Sequence, residues 1–251
     1  MATTERSTPT DDTVVAPRVN GAHDVGGALD VGPLAIEVDE PVFHEPWEGL
    51  VQALSMGGIV AGAYTVDDFR CHAEGMHPAS YMASSYYEQW LYALEKCLLQ
   101  SGAVTAAEIE ERAEAVAADP DAPRPRGENA ELRAQMKELL ALGVPELAPE
   151  GEPRFAVGDE VQTRVIRVAP GHQHVRLPGY TQGKRGVVEV VHMPQALADA
   201  VVAGKGIQPE YVYTVRFRSS DLWPGARATD SVTAELWESY LEPAPSTGSD
   251  R

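Results

Sequence analysis

The sequence predicts an α+β protein, helical in its first part and built of short strands in its last. Three observations carry this. Between residues 46 and 143 apolar residues recur at helical spacing, three of the runs preceded by a helix-start signal. The stretch VPELAPEGEP, residues 144–153, breaks that pattern and reads as a linker. After it, residues 159–168, 186–193, 210–217 and 231–237 are rich in Val, Tyr, Thr and Phe with partial alternation. Short strands between Gly/Pro turns suggest a small barrel or sandwich over 154–243, followed by a disordered tail at 244–251.

Taken in order, residues 1–18 are rich in Thr, Pro and Asp and read as a disordered extension. A Gly-rich extended arm follows at 19–45, of a kind that lies across another surface, its own domain or a partner. Residues 47–60 place Trp47, Leu50, Val51 and Leu54 at helical spacing. Thr65 with Asp68 is a capping box, opening a short helix with Val66, Phe69, Ala73 and Met76 on one face. Pro78 suits the first turn of a helix running to about residue 100, which Gly102 can close. Thr105 with Glu108 caps another, to about 118, and DPDAPRPR then breaks the pattern. A last helix spans 129–142, with Gly143 as its stop. In the strand-rich part, PQALADAVVAG at 194–204 reads as a short helix or a loop insertion.

The chain has 251 residues and a net charge of −18, which argues against a nucleic-acid or anionic-membrane partner. Its two cysteines, Cys71 and Cys97, form no CxxC pair and no disulfide framework, which fits a reducing cytoplasm. No apolar run approaches the roughly 20 residues needed to cross a bilayer. The first residues lack the apolar core of a signal peptide.

Residues 65–91 are the most informative stretch. Tyr86 and Trp90, four apart on one helix, share a face, and Tyr87 and Leu91 share the next. Core packing explains any one of these aromatics; four large residues in six suggest one face for the core and one for a pocket or interface. Arg70 and Glu74 are also four apart, and their plain reading is an exposed ion pair worth a few tenths of a kcal/mol. Cys71, His72 and His77 match no ordinary metal-ligand spacing. GKRGVV is the kind of turn-strand element found in small RNA-binding barrels, but the acidic balance argues against that use. An arginine beside a wall of aromatics, without a triad or metal motif, suggests half of a site whose other half lies on another chain.

Over about 19–243 the sequence resembles the β subunit of nitrile hydratase. The matching segments are NGAHDVGG, EPVFHEPWE, DDFR, SYYEQW, HVRLPGYTQGKRG, YVYTVRF, DLW and LWESYLEP, in the family's order. The resemblance implies that the strand-rich part is a barrel of the Src-homology-3 type. It also implies a soluble, cytoplasmic heterodimer with an α subunit, paired again into a tetramer. The α subunit would carry cobalt(III), or iron(III), in a cluster of cysteines of which two are oxidised, and this chain would bind no metal itself. By the same resemblance, Arg70 and Arg176 hydrogen-bond the oxidised cysteine oxygens. Tyr86, Trp90, Val66 and Phe69 line the nitrile pocket, where Ser55 replaces a larger residue of some relatives and widens it. Glu74 helps hold Arg70, and His174 is a supporting residue. A planar guanidinium suits the task because it offers paired donors and stays charged.

The chain departs from the family pattern in places. The element PGH-x-R-M-P reads PGHQHVRLP here, so His172 and His174 both precede Arg176. Gln89 stands where several relatives carry His, and Val19 falls where the family's initiator Met stands. Two rival readings are a subunit of a thiocyanate hydrolase and a non-catalytic metallochaperone or activator. The fusion of both halves on one chain and the presence of the strand-rich part argue against them.

Overall fold

Pro46 opens α1 (Pro46–Val60) at a helix start, where its missing N–H has no partner to lose. Glu48 folds back to accept the backbone N–H of His44 at 2.7 Å and of Glu45 at 3.3 Å. The computed structural model describes residues 21–24, 36–123, 127–142, 147–148, 151–166 and 174–245. Thr65 and Asp68 form the expected capping box of α2 (Val66–Glu74). Gly102, at φ 72° where a left-handed residue is needed, ends α4 (Tyr86–Ser101) as expected. Thr105 and Glu108 cap α5 (Ala106–Ala118). Asn129 accepts the Leu132 N–H at 2.8 Å and starts α6 (Ala130–Leu142); its expected stop, Gly143, lies outside the described residues.

One expectation fails. The single helix from Pro78 to about residue 100 is two, α3 (Pro78–Ala83) and α4. Ser84 is extended, at φ −87° and ψ 145°, and Ser85 then serves as N-cap. The Glu88 carboxylate accepts the Ser85 N–H at 2.6 Å, completing a capping box that restarts the helix.

The later part is one antiparallel sheet in the order β4-β3-β2-β1-β5. Its strands are β1 (Glu160–Thr163), β2 (Arg185–Ala196), β3 (Pro209–Arg218), β4 (Ser231–Trp237) and β5 (Leu241–Pro243). β5 was not foreseen; a 3-10 turn, Glu238–Tyr240, delivers it from β4 to the far edge beside β1. β1 is shorter than the expected 159–168, of which 167 and 168 lie outside the described residues. PQALADAVVAG resolves into the end of β2 and a short helix, α7 (Ala198–Val202). A further turn of helix, α8 (Ser219–Leu222), follows β3. Along β3, Tyr213, Val215 and Phe217 point inward while Arg216 and Arg218 face water, the period-two pattern of a one-sided sheet.

Two cores result. Tyr64, Phe69, Ala93, Leu94 and Cys97 close the helical one. Gly58 lets it close, because a Cβ there would stand 2.5 Å from the Tyr64 hydroxyl. Val161, Leu177, Val188, Tyr213, Val215, Phe217, Leu236 and Leu241, with Tyr240, fill the sheet's core. The two parts meet where α7 packs against α2. The arm joins them, the Asp24 carboxylate accepting the Gly179 N–H at 2.8 Å. The expected extension 1–18 lies outside the described residues, as do residues 246–251 of the expected tail. Ala244 and Pro245, counted with that tail, are tied to the sheet through bonds to Glu160 and Arg185. Among the described residues no helix is long and apolar enough to cross a membrane.

Candidate functional site

α2 and the segment entering the sheet at His174 build one charged cluster. His174, fully buried, gives Nδ1 to the Glu74 carboxylate at 2.7 Å. Its Nε2 stands 3.7 Å from Asp67 Oδ1, within ion-pair range but longer than a hydrogen bond. His23 of the arm brings Nε2 to 3.7 Å from the same Glu74. Burial alone would depress the His174 imidazolium; Asp67 and Glu74 outweigh it and raise its pKa above 6.5. Burial likewise opposes ionisation of Asp67, and His174, Arg70 and Arg176 overcome it, holding its carboxyl below the ordinary value.

Both arginines therefore act on Asp67. Arg70 Nη1 reaches it at 3.5 Å, one turn away on α2. Arg176, in the segment before β2, acts on it through its charge. Both arginines are exposed residues. The expected hold of Glu74 on Arg70 is corrected here. Glu74 turns to His174 and His23, because a buried imidazole needs the carboxylate more than an exposed guanidinium does.

The aromatic wall stands on α4, which packs against α2. Tyr86, 61% exposed, lies 5.5 Å from Trp90 between ring centroids, and Tyr87 lies 5.2 Å from Tyr86. Trp90 is half-buried, edge-on to Phe69 at 5.1 Å. Val66 is exposed at the start of α2. Phe69 and Ser55 lie beneath the surface: Phe69 belongs to the helical core, and Ser55 is fully buried with its carbonyl accepting the Tyr64 hydroxyl at 2.9 Å. Tyr86, Trp90 and Val66 thus reach the surface, Val66 one turn before Arg70 on α2, while Phe69 and Ser55 are buried.

Sequence reasoning missed Asp67, His23, Asp24 and Tyr240. Asp67 stands three residues before Arg70, a visible helical spacing. The others make their contacts across the fold, and no local pattern marks them.

The two cysteines do not suit a metal. Cys97 is buried in the helical core with its thiol pushed up to about 12, and burial also raises Cys71 on α2. Among the described residues neither joins a cluster of side chains able to hold an ion. His72 bonds Gln100 at 2.6 Å, and His77 caps α3.

Comparison with known proteins shows the family of the chain. The family described as "Nitrile hydratase beta subunit, N-terminal" matches residues 19–136, and its C-terminal counterpart matches 145–243. The low-molecular weight cobalt-containing nitrile hydratase subunit beta of Rhodococcus rhodochrous is 34% identical, over 90% of this chain and all of its own. The nitrile hydratase subunit beta of Pseudomonas putida is 36% identical over the same shares. The cobalt-containing subunit beta of Pseudonocardia thermophila is 34% identical, over 89% of this chain and 96% of its own. The thiocyanate hydrolase subunit alpha of Thiobacillus thioparus is also 34% identical, but over only 38% of this chain and 75% of its own. Two family matches that together span nearly the whole chain, and relatives matched along almost their full length, leave one assignment: the chain belongs to the nitrile hydratase β-subunit family.

Proposed function

We propose that the chain works as the β half of a nitrile-hydrating hydro-lyase, adding water across a nitrile to give the amide in complex with an α subunit. The names of the relatives support this, and they are matched along nearly their whole length. Two of those names specify cobalt, which makes cobalt(III) the preferred metal over iron(III). We assign the metal to the α subunit, since among the described residues neither cysteine of this chain belongs to a cluster of metal-ligating side chains. When bound there it supplies Lewis acidity toward the nitrile or a water. The assembly is read as a heterodimer, paired into a heterotetramer, in the cytoplasm.

One observation carries the reading: Arg70 on α2 and Arg176 in the segment before β2 both act on the same carboxylate, Asp67, and α4, which carries Tyr86 and Trp90, packs against α2. Each guanidinium can direct two N–H groups to an oxyanion on a facing chain. Asp67 limits their mutual repulsion. Tyr86, Trp90 and Val66 form the apolar wall for the nitrile's carbon chain, with Phe69 and Ser55 behind. The thiocyanate hydrolase reading accounts for 38% of the chain and is weaker.

We also read the sheet as a small barrel of the Src-homology-3 type. Its support is the short link from β4 to β5. Three residues, Glu238–Tyr240, join strands at opposite edges of a five-stranded sheet. A flat sheet of that size would separate its edges by about 19 Å, while so short a link reaches roughly 13 Å, so the sheet must curl.

The test is Arg70→Lys and Arg176→Lys in the assembled complex. Each keeps the charge and loses the planar fork. Both variants should assemble and retain metal yet lose at least about tenfold in turnover, or roughly 1.4 kcal/mol of barrier. Near wild-type kinetics in either would remove that arginine from the site.

A further inference from the structure

We propose that Tyr240 is a positioning residue for Arg176, its hydroxyl oriented by Asp199. This rests on the assignment of Arg176 to the site. Tyr240 ends the 3-10 turn between β4 and β5 and is 2% exposed. Its hydroxyl oxygen accepts the backbone N–H of Arg176 at 3.2 Å. The same hydroxyl donates its proton to Asp199 Oδ1. Its carbonyl accepts the Arg164 N–H at 2.8 Å, fixing the turn to the strand side.

The order of these bonds matters. A phenol hydroxyl has one proton and two lone pairs. If the proton pointed at Arg176 N–H, the two hydrogens would clash and a buried donor would lack an acceptor. Asp199 commits the proton elsewhere and so leaves a lone pair for the amide. Asp199 stands in the first turn of α7, the helix that packs against α2, and α2 carries Arg70 and Asp67. One hydroxyl therefore ties the Arg176 main chain to the element that rests on Arg70's helix.

The neighbours of Arg176 complete the hold. On one side His174 is clamped to Glu74; on the other Leu177 is fully buried in the sheet core. An arginine's head sits at the end of four rotatable bonds, so the fold can aim it best by fixing its backbone. Misplacement by about 1 Å can cost up to about 100-fold in rate. Tyr240 then contributes to turnover without touching the reacting atoms.

The experiment uses the assembled complex with nitrile as substrate and compares Tyr240→Phe, Arg176→Lys and the double variant. Tyr240→Phe should assemble with full metal and lose at least about fivefold in kcat. In the Arg176→Lys background the same change should cost less than about twofold, because the residue it aims is already compromised. Asp199→Ala should reproduce the loss, and Asp199→Asn, which keeps an acceptor oxygen, should recover most of it. If Tyr240→Phe does not assemble, the Asp199 pair carries the same comparison. Equal losses in both backgrounds would mean a general structural role and overturn the inference. Wild-type kcat in Tyr240→Phe, with Arg176→Lys impaired, would overturn it and leave Arg176 in the site. Wild-type kinetics in Arg176→Lys would overturn both.

Discussion

At the level of single residues the site depends on His174, which has no exposed surface and two carboxylates beside it. Its folded pKa is raised above 6.5, so the stability it contributes is complete below that value and fades as pH rises through the folded pKa. Asp67 works in the opposite sense: lowered in the fold, it contributes above its unfolded value of 3.8 and loses this as pH falls through its folded pKa. The clamp is therefore strongest in mildly acidic solution. His174→Gln should lower the melting temperature of the complex most near pH 6, with the gap narrowing toward pH 9. A gap that stays constant across that range would show that the charged imidazole is not what holds α2 to the sheet. Tyr86 separates pocket from core more cleanly than Trp90 does, since Trp90 packs on Phe69 while Tyr86 is 61% exposed. Tyr86→Ala should change stability by no more than about 0.5 kcal/mol. It should nevertheless alter the ratio of kcat/KM between small and bulky nitriles, and an unchanged ratio would take Tyr86 out of the pocket wall.

At the level of elements, the break between α3 and α4 decides where the aromatic wall begins. The Ser85–Glu88 capping box sets Tyr86 and Tyr87 in the first turn of α4. Ser85→Ala should cost about 1 kcal/mol, lowering the melting temperature by roughly 2–4 °C. An unchanged melting temperature would mean that the packing of α4 against α2 and α1 fixes it unaided. This break was readable, because Ser85 and Glu88 have the same spacing as the boxes at Thr65 and Thr105. Pro78, a helix-start signal seven residues earlier, masked the second start. β5 was not readable: it has three residues, and its pairing with β1 depends on a partner about 80 positions away. The charged cluster divides in the same way. Arg70 and the aromatics stand within one local stretch, and Arg176 was reached through family resemblance. The turn of Glu74 from Arg70 to His174 needed the folded chain, because 100 residues separate the two. Local spacing shows which side chains can share a helix face and says nothing of what the far end of the chain brings to it.

At the level of the whole molecule, a net charge of −18 coexists with a band of uncovered apolar residues. Ile36, Val38 and Val42 of the arm are each about 85% exposed. On α1, Leu50 and Leu54 are 60% and 53% exposed, while Val51 and Ser55 face the core. Leu50 and Leu54 are four apart, so they form one stripe on the outer face of the helix. An exposed apolar stripe on a helix marks an interaction site more often than chance exposure. In a β subunit its natural cover is the α subunit. Burying a leucine on association stabilises by about 1.5–3 kcal/mol. Replacing it with glutamate removes that gain and leaves a charge to be desolvated. Leu50→Glu and Leu54→Glu should therefore each weaken binding of the α subunit at least about tenfold. Because both side chains are already exposed, neither change should lower the melting temperature of the chain by itself. Titration of the α subunit against each variant, alongside melting of the free chain, separates the two effects. Full affinity in both variants would place the α subunit elsewhere and leave this stripe without a role in assembly.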